Sequence, residues 1–244
     1  MAKLKLTWHG HSCFTLEEDG YAVVLDPYED GSVPGFGPLK LAAEEVLCSH
    51  DHFDHNAAQA VKIRDAAGGG KKNPFAVTEI HSWHDDAQGA KRGDNTIRVF
   101  DDGKYRIAHM GDIGCMPTKE QKDLLKGIDV MLMPVGGFYT MEPAEVFALV
   151  QELQPKMLVP MHYRGEGFGF GEIAPLETYL SLAGSGAGVV RLDRNTLTLP
   201  EDEAAGFFVL RPPLPSAGVG RGRRNWCAVP HRGTPGQGTE NAGR

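Results

Sequence analysis

Residues 49–56 read Ser-His-Asp-His-Phe-Asp-His-Asn, placing three histidines and two aspartates within eight positions. Such a run repels itself when charged and costs stability when buried without partners. A fold that keeps it needs something to neutralise it. Neutral imidazoles and a carboxylate are the donors that zinc and its neighbours prefer. The pattern His-x-His-x-Asp-His therefore predicts a metal site around His50, His52, Asp54 and His55.

Local geometry follows from the flanking pattern. A strand over "EEVLCS" that continued through His50 would point His50 and His52 the same way, because side chains alternate with period two. Asp54 and His55 would then fall where the chain turns into a helix over residues 54–66, "DHNAAQAVKIRDA", which is rich in helix formers and stops at three glycines.

A catalytic metal site draws ligands from several loops and keeps an open position. Three later segments offer donors at loop positions that follow strands. "EIHSWHDD" holds His81 and His84, "AHMGDIG" holds His109 and Asp112, and "VPMHYR" holds His162. His109 reads as a packed or supporting histidine, while His9 and His231 have no such context.

The remaining pattern is layered. "KLKLTWHG", "HSCFTLEE" and "YAVVLDP" read as strands, as do "PFAVTEI", "NTIRVFDD" and "KYRIAHM". The last two are joined by Asp-Gly and predict a hairpin. Helical patterns over residues 118–127, 141–154 and 172–183 each precede a strand, "IDVMLMPV", "KMLVPMH" and "GVVRLD". A strand-rich first part followed by strand–helix alternation predicts an α/β or α+β layered domain over residues 1–210.

Composition narrows the function classes. The chain has 244 residues, 41% of them hydrophobic, and a formal net charge of −7. Residues 211–244 hold six arginines and one glutamate, so residues 1–210 carry −12. An acidic body argues against a nucleic-acid surface. No apolar run approaches the ~20 residues of a membrane span, and the start lacks a signal-peptide core, which predicts a cytoplasmic protein. Cys13, Cys48, Cys115 and Cys227 form no CxxC pair and read as isolated thiols. Residues 211–244 contain seven glycines and five prolines, with almost no apolar periodicity. They predict a flexible tail outside the core.

The order "SHDHFDH", a histidine loop, "HMGDIG" and "VPMHYR" resembles the metallo-β-lactamase superfamily across residues 1 to about 210. "GHSCF", "LDP", "HDDAQGAKRGDNTI" and "PVGGFYTMEPAE" are similar to one branch, the ascorbate-6-phosphate lactonase-like hydrolases. The resemblance implies an αββα sandwich of two mixed sheets packed face to face, with helices outside and two divalent metal ions at one edge. It implies His50, His52 and His84 on the first metal, with His81 as the alternative to His84. Asp54, His55 and His162 fall on the second, and Asp112 bridges the two. Asp26 and His11 would support the ligands. Zinc is the metal expected, and the same donors accept manganese or iron.

Two such ions hold a bridging water and lower its pKa, so a hydroxide becomes available near neutral pH. The expected activity is hydrolysis of a small ester, lactone or phosphodiester, with Asp54 as catalytic residue. Tyr139, Arg164 and Arg92 are the expected substrate contacts. The alternative is a metal-dependent ribonuclease or phosphodiesterase acting on nucleic acid, which the arginine-rich tail favours and the acidic body opposes. A third class, metal held for stability alone, is disfavoured by the full donor set. The Gly-alternating stretch 165–171 reads equally as a lid covered by Phe168 and Phe170 or as a plain connector.

Overall fold

The computed structural model describes residues 3–64, 72–184 and 188–214. Along the first half run β1 (Leu4–Gly10), β2 (Cys13–Glu18), β3 (Tyr21–Leu25), β4 (Leu41–Ala43), β5 (Glu45–Leu47) and β6 (Val61–Ile63). Then come β7 (Ala76–Trp83), β8 (Asp94–Asp101), β9 (Arg106–His109), α1 (Lys119–Leu124), β10 (Val130–Pro134) and α2 (Pro143–Leu153). The remainder is β11 (Met157–Met161), α3 (Leu176–Ala183), β12 (Val189–Arg191), β13 (Thr196–Leu199) and β14 (Gly206–Val209).

Two mixed sheets result. One has the order β13-β1-β2-β3-β5, and the other β12-β14-β11-β10-β9-β8-β7. A small parallel pair, β4-β6, stands beside them. In the larger sheet β9, β10, β11, β14 and β12 are parallel, while β7 and β8 run antiparallel to their neighbours. The sequence pattern explains the difference. β10 and β11 are buried at every position, as strands covered on both faces must be. β1 alternates, burying Leu4, Leu6 and Trp8 and turning Lys5, Thr7 and His9 outward.

The sheets share one apolar core. Trp8 stands 5.7 Å from the Tyr163 ring and Phe14 stands 6.1 Å from the His109 ring, centroid to centroid. His109 is thus a buried strut. Its Nε2–H donates to the Ser12 carbonyl at 3.0 Å, and its Nδ1 accepts from Gly111 N–H at 3.2 Å. This is the α/β sandwich, with the predicted hairpin present as β8–β9.

Among the described residues, all three α-helices follow residue 118. α2 buries Val146, Leu149, Val150 and Leu153, a 3-4-7 stripe, and starts at a reciprocal Glu142/Glu145 capping box with Pro143 in the first turn. α1 begins at Thr118, which is bonded reciprocally with Gln121.

Two expectations need correction. The helix expected over 54–66 does not form. Residues 58–60 make one 3₁₀ turn, and Val61–Ile63 pair with β4. The β-branched Val61 and Ile63 favour the strand, and tertiary pairing overrides the alanines' helical propensity. The strand expected through His50 ends at Leu47. Arg211, the first residue of the expected tail, donates its N–H to the Arg194 carbonyl at 2.9 Å. Residues 215–244, with Cys227 and His231, lie outside the described residues.

Candidate metal centre

The donors collect where the strands of both sheets end. Asp26 follows β3, Ser49 and the cluster follow β5, His84 follows β7, Asp112 follows β9 and His162 follows β11. Parallel strands discharge their loops at one edge, which is why ligands distant in sequence meet there.

The cluster is folded by turns. His55 N–H and Asn56 N–H both donate to the His52 carbonyl at 2.8 Å. His50 and His52 meet ring edge to face at 4.7 Å, and both reach the His84 ring, at 4.6 and 5.0 Å. His50, His52 and His84 form one set of mutually close donor atoms. Asp54, His55 and His162 form a second with His11. Between the sets stands Asp112. Its Oδ2 lies 3.2 Å from His55 Nε2, 3.5 Å from His84 Nε2 and 3.1 Å from His162 Nε2. His81 is not brought to the cluster: it is exposed and faces Asp94 and Trp83.

Outer partners fix which nitrogen faces inward. Asp26 Oδ2 accepts from His55 Nδ1–H at 2.8 Å and from the Ser49 hydroxyl at 2.5 Å. Ser49 Oγ in turn accepts from His50 Nδ1–H at 2.9 Å. With Nδ1–H spent on these acceptors, Nε2 is the nitrogen that each imidazole turns to the interior. Burial pushes the Asp26 carboxyl upward, but His109 and His55 outweigh it and bring it down to about 2. His11 Nε2 lies 3.1 Å from Asp54 Oδ2 and holds that carboxylate in place.

Tight backbone contacts set the loops. A Cβ on Gly114 would lie 2.3 Å from the His84 carbonyl carbon, and one on Gly136 would lie 2.2 Å from the His162 carbonyl oxygen. His11, Asp26, Phe138 and His162 adopt positive φ between 44° and 63°. Such strain concentrates at functional sites.

The donor set fits divalent metal. His50 Nε2 and Asp112 Oδ1 are buried and have no hydrogen-bond partner among the described residues. Buried polar atoms are almost always paired, so two orphans aimed into a His/Asp cluster are what ligand atoms look like. Burial disfavours charge on His55, yet Asp112 and Asp26 hold its pKa well above the ordinary value. A cation binding there takes over that neutralising role and releases the proton.

A pocket of about 300 Å³ opens on the centre, lined by His52, Phe53, Asp54, His84, Arg92, Asp112, Tyr139, His162 and Phe170. Arg92 and Tyr139 are both in it, with the guanidinium 5.7 Å from the Tyr139 ring centre. Arg164 is not: it is exposed, and its Nε–H donates to the Ile173 carbonyl at 2.7 Å. In the stretch 165–171, Phe168 packs into the core against Trp8 and Phe36, whereas Phe170 reaches the pocket.

Sequence reasoning missed Ser49, Asn95, Asp85 and Phe53. Asn95 is fully buried, accepts Asp112 N–H at 2.9 Å and donates to Ser82 Oγ and the Met110 carbonyl. Its signal was a polar residue in phase with buried Ile97 and Val99.

A family model of the beta-lactamase superfamily domain matches residues 5–162. A UPF0173 protein of Pyrococcus abyssi is 28% identical over 194 residues, spanning 69% of this chain and 88% of the relative. A UPF0173 metal-dependent hydrolase of Thermoplasma acidophilum is 27% identical over 191 residues, spanning 67% and 84%. A crystal structure from Thermotoga maritima, of a proposed Zn-dependent hydrolase of the metallo-β-lactamase superfamily, is 31% identical. It has a TM-score of 0.66 and covers 85% of this chain and 98% of that one. Fold and site define a metal-dependent hydrolase. The chain belongs to the metallo-β-lactamase superfamily.

Proposed function

We propose that the centre is dinuclear and hydrolyses a small ester, lactone or phosphodiester. His50, His52 and His84 would hold one ion, Asp54, His55 and His162 the other, and Asp112 would lie between them. Zinc is the ion we assign, on the balance of imidazole and carboxylate donors. The observation that carries this reading is the convergence of three imidazoles from two donor sets on one Asp112 oxygen, at 3.1–3.5 Å.

When bound, such ions supply a water acidic enough to be a nucleophile near pH 7 and polarise the substrate oxygen. The chain's own groups do the rest. Asp54, held by His11, orients the nucleophile and accepts its proton. Asp26 and Ser49 keep His55 and His50 in the donor-ready tautomer. Arg92 and Tyr139 orient the substrate across the pocket, and Phe53 and Phe170 line its apolar side. Among the described residues the lining has no cationic stripe for a nucleic-acid backbone, since Arg92 is the one Lys or Arg there. A small molecule is the substrate we assign.

Elemental analysis of protein purified without chelator tests the ion count, with about two ions per chain expected. A screen of carboxylesters, lactones and phosphodiesters tests the chemistry. One tightly held ion, or turnover confined to oligonucleotides, would reject the assignment.

A further inference from the structure

We propose that Asp85 is a positioning residue whose carboxylate shapes residues 85–93 so that Arg92 binds an anionic group of the substrate. Asp85 is 1% exposed, yet it does not face the pocket. Both of its oxygens are spent on the loop that follows. Oδ1 accepts Ala87 N–H at 2.7 Å and Gly89 N–H at 3.0 Å. Oδ2 accepts Lys91 N–H at 2.9 Å and Arg92 N–H at 2.7 Å.

Four backbone donors on one buried carboxylate fix the course of a short loop more tightly than its sequence alone could. The loop closes on itself through Gly93 N–H to the Gly89 carbonyl at 2.9 Å, and returns to the centre through His84 N–H to the Gly93 carbonyl at 3.0 Å. It also packs on Trp83: a Cβ on Gly89, at φ +81°, would lie 2.8 Å from that ring.

The product of this construction is the placement of Arg92. Its backbone N–H is the last of the four bonds. Its side chain crosses to the facing loop, donating to the Phe138 carbonyl at 3.3 Å and lying over Tyr139. There it lines the pocket beside Asp112 and His162. A planar guanidinium held in place matches a carboxylate or phosphate through two parallel bonds. The inference rests on the hydrolase reading for the word substrate, but the anion site can be read without turnover.

The probe is inorganic phosphate, titrated calorimetrically into the metal-loaded protein. Arg92→Gln should weaken it about tenfold, a typical worth for one charge-assisted contact. Asp85→Asn should weaken it to the same degree, since a carboxamide cannot accept all four N–H groups, and should keep the wild-type metal content. The double variant should lose no more than either single one. Gly89→Ala, which displaces the loop without touching either acceptor or guanidinium, should show the same loss, and it stands in if Asp85→Asn does not fold. Wild-type affinity in Gly89→Ala or in a folded Asp85→Asn, additive losses in the double variant, or no effect of Arg92→Gln would overturn the proposal. Phosphate binding does not depend on hydrolysis, so a protein that binds phosphate this way but turns over no ester, lactone or phosphodiester would refute that substrate assignment alone.

Discussion

Asp26 Oδ2 accepts the Nδ1–H of His55 at 2.8 Å, with both side chains sealed from solvent. The contact reaches across from the end of β3 to the turn after β5. It decides which His55 nitrogen faces Asp112. Through Ser49 the same carboxylate oxygen also sets His50.

Asp26→Ala should therefore weaken metal binding while leaving every ligand in the chain. Loss of such an outer partner typically costs 10–100-fold in affinity. Ser49→Ala breaks one link and should cost less. Competition against a chromophoric chelator reads both. Wild-type retention in Asp26→Ala would mean the tautomer is set elsewhere.

Asp54, Asp112 and Tyr139 should rank in that order. Asp54→Asn keeps volume but removes the charge and the proton acceptor, so kcat/KM should fall by several orders of magnitude in a folded protein. Asp112→Ala should inactivate through lost metal affinity, with partial rescue by excess metal. Tyr139→Phe removes one hydroxyl at the pocket edge and should cost about 1–3 kcal/mol at most. Near-wild-type rates in Asp54→Asn at full metal occupancy would sink the mechanism.

Removing metal should destabilise the fold. His55, His162, Asp54 and Asp112 are buried together, and the native state alone assembles them. Binding at a hundred times Kd is worth roughly 2.7 kcal/mol, so chelation should lower Tm by at least about 5 °C, reversibly on adding zinc. An unchanged Tm after verified metal loss would separate the centre from stability.

The donor types were legible in the sequence because chemistry this dense leaves a local mark. His50, His52, Asp54 and His55 lie within six residues, and His84, Asp112 and His162 each follow a strand. The strands were legible for the same reason: β1 and β8 alternate, and β10 and β11 are continuous apolar runs. What failed was local propensity against tertiary pairing. Residues 61–63 form a strand because β4 offers an edge, and β4 lies twenty residues upstream. The supports of the centre were harder to see. Asn95 and Asp85 act through long-range and backbone bonds that residue types do not announce, and Arg164 looked equivalent to Arg92 until the Ile173 carbonyl claimed it.

Truncation after Leu214 should leave Tm and metal content near wild type. Residues 215–244 have the composition of a chain that cannot bury a core. Leu210 is buried and Arg211 is hydrogen-bonded, so a cut before residue 210 should be costly where one after 214 is not. A drop of several degrees in the longer form would place the segment in the fold.

His9 gives a test of pH dependence away from the donors. Its Nε2 lies 2.7 Å from Thr15 Oγ1, and burial lowers its pKa from 6.5 to about 4. Between these values the unfolded chain binds a proton that the folded one refuses. The stabilising contribution is whole above pH 6.5 and is lost as pH falls toward 4. From pH 7.5 to 5.0 the loss from this one group is about 2 kcal/mol. His9→Gln abolishes the titration but keeps a donor for Thr15. Urea denaturation of both proteins at the two pH values cancels what the other histidines contribute. The wild type's advantage over His9→Gln should shrink by about that amount on acidification. An advantage that stays constant, or grows, would show that His9 charges freely in the folded protein.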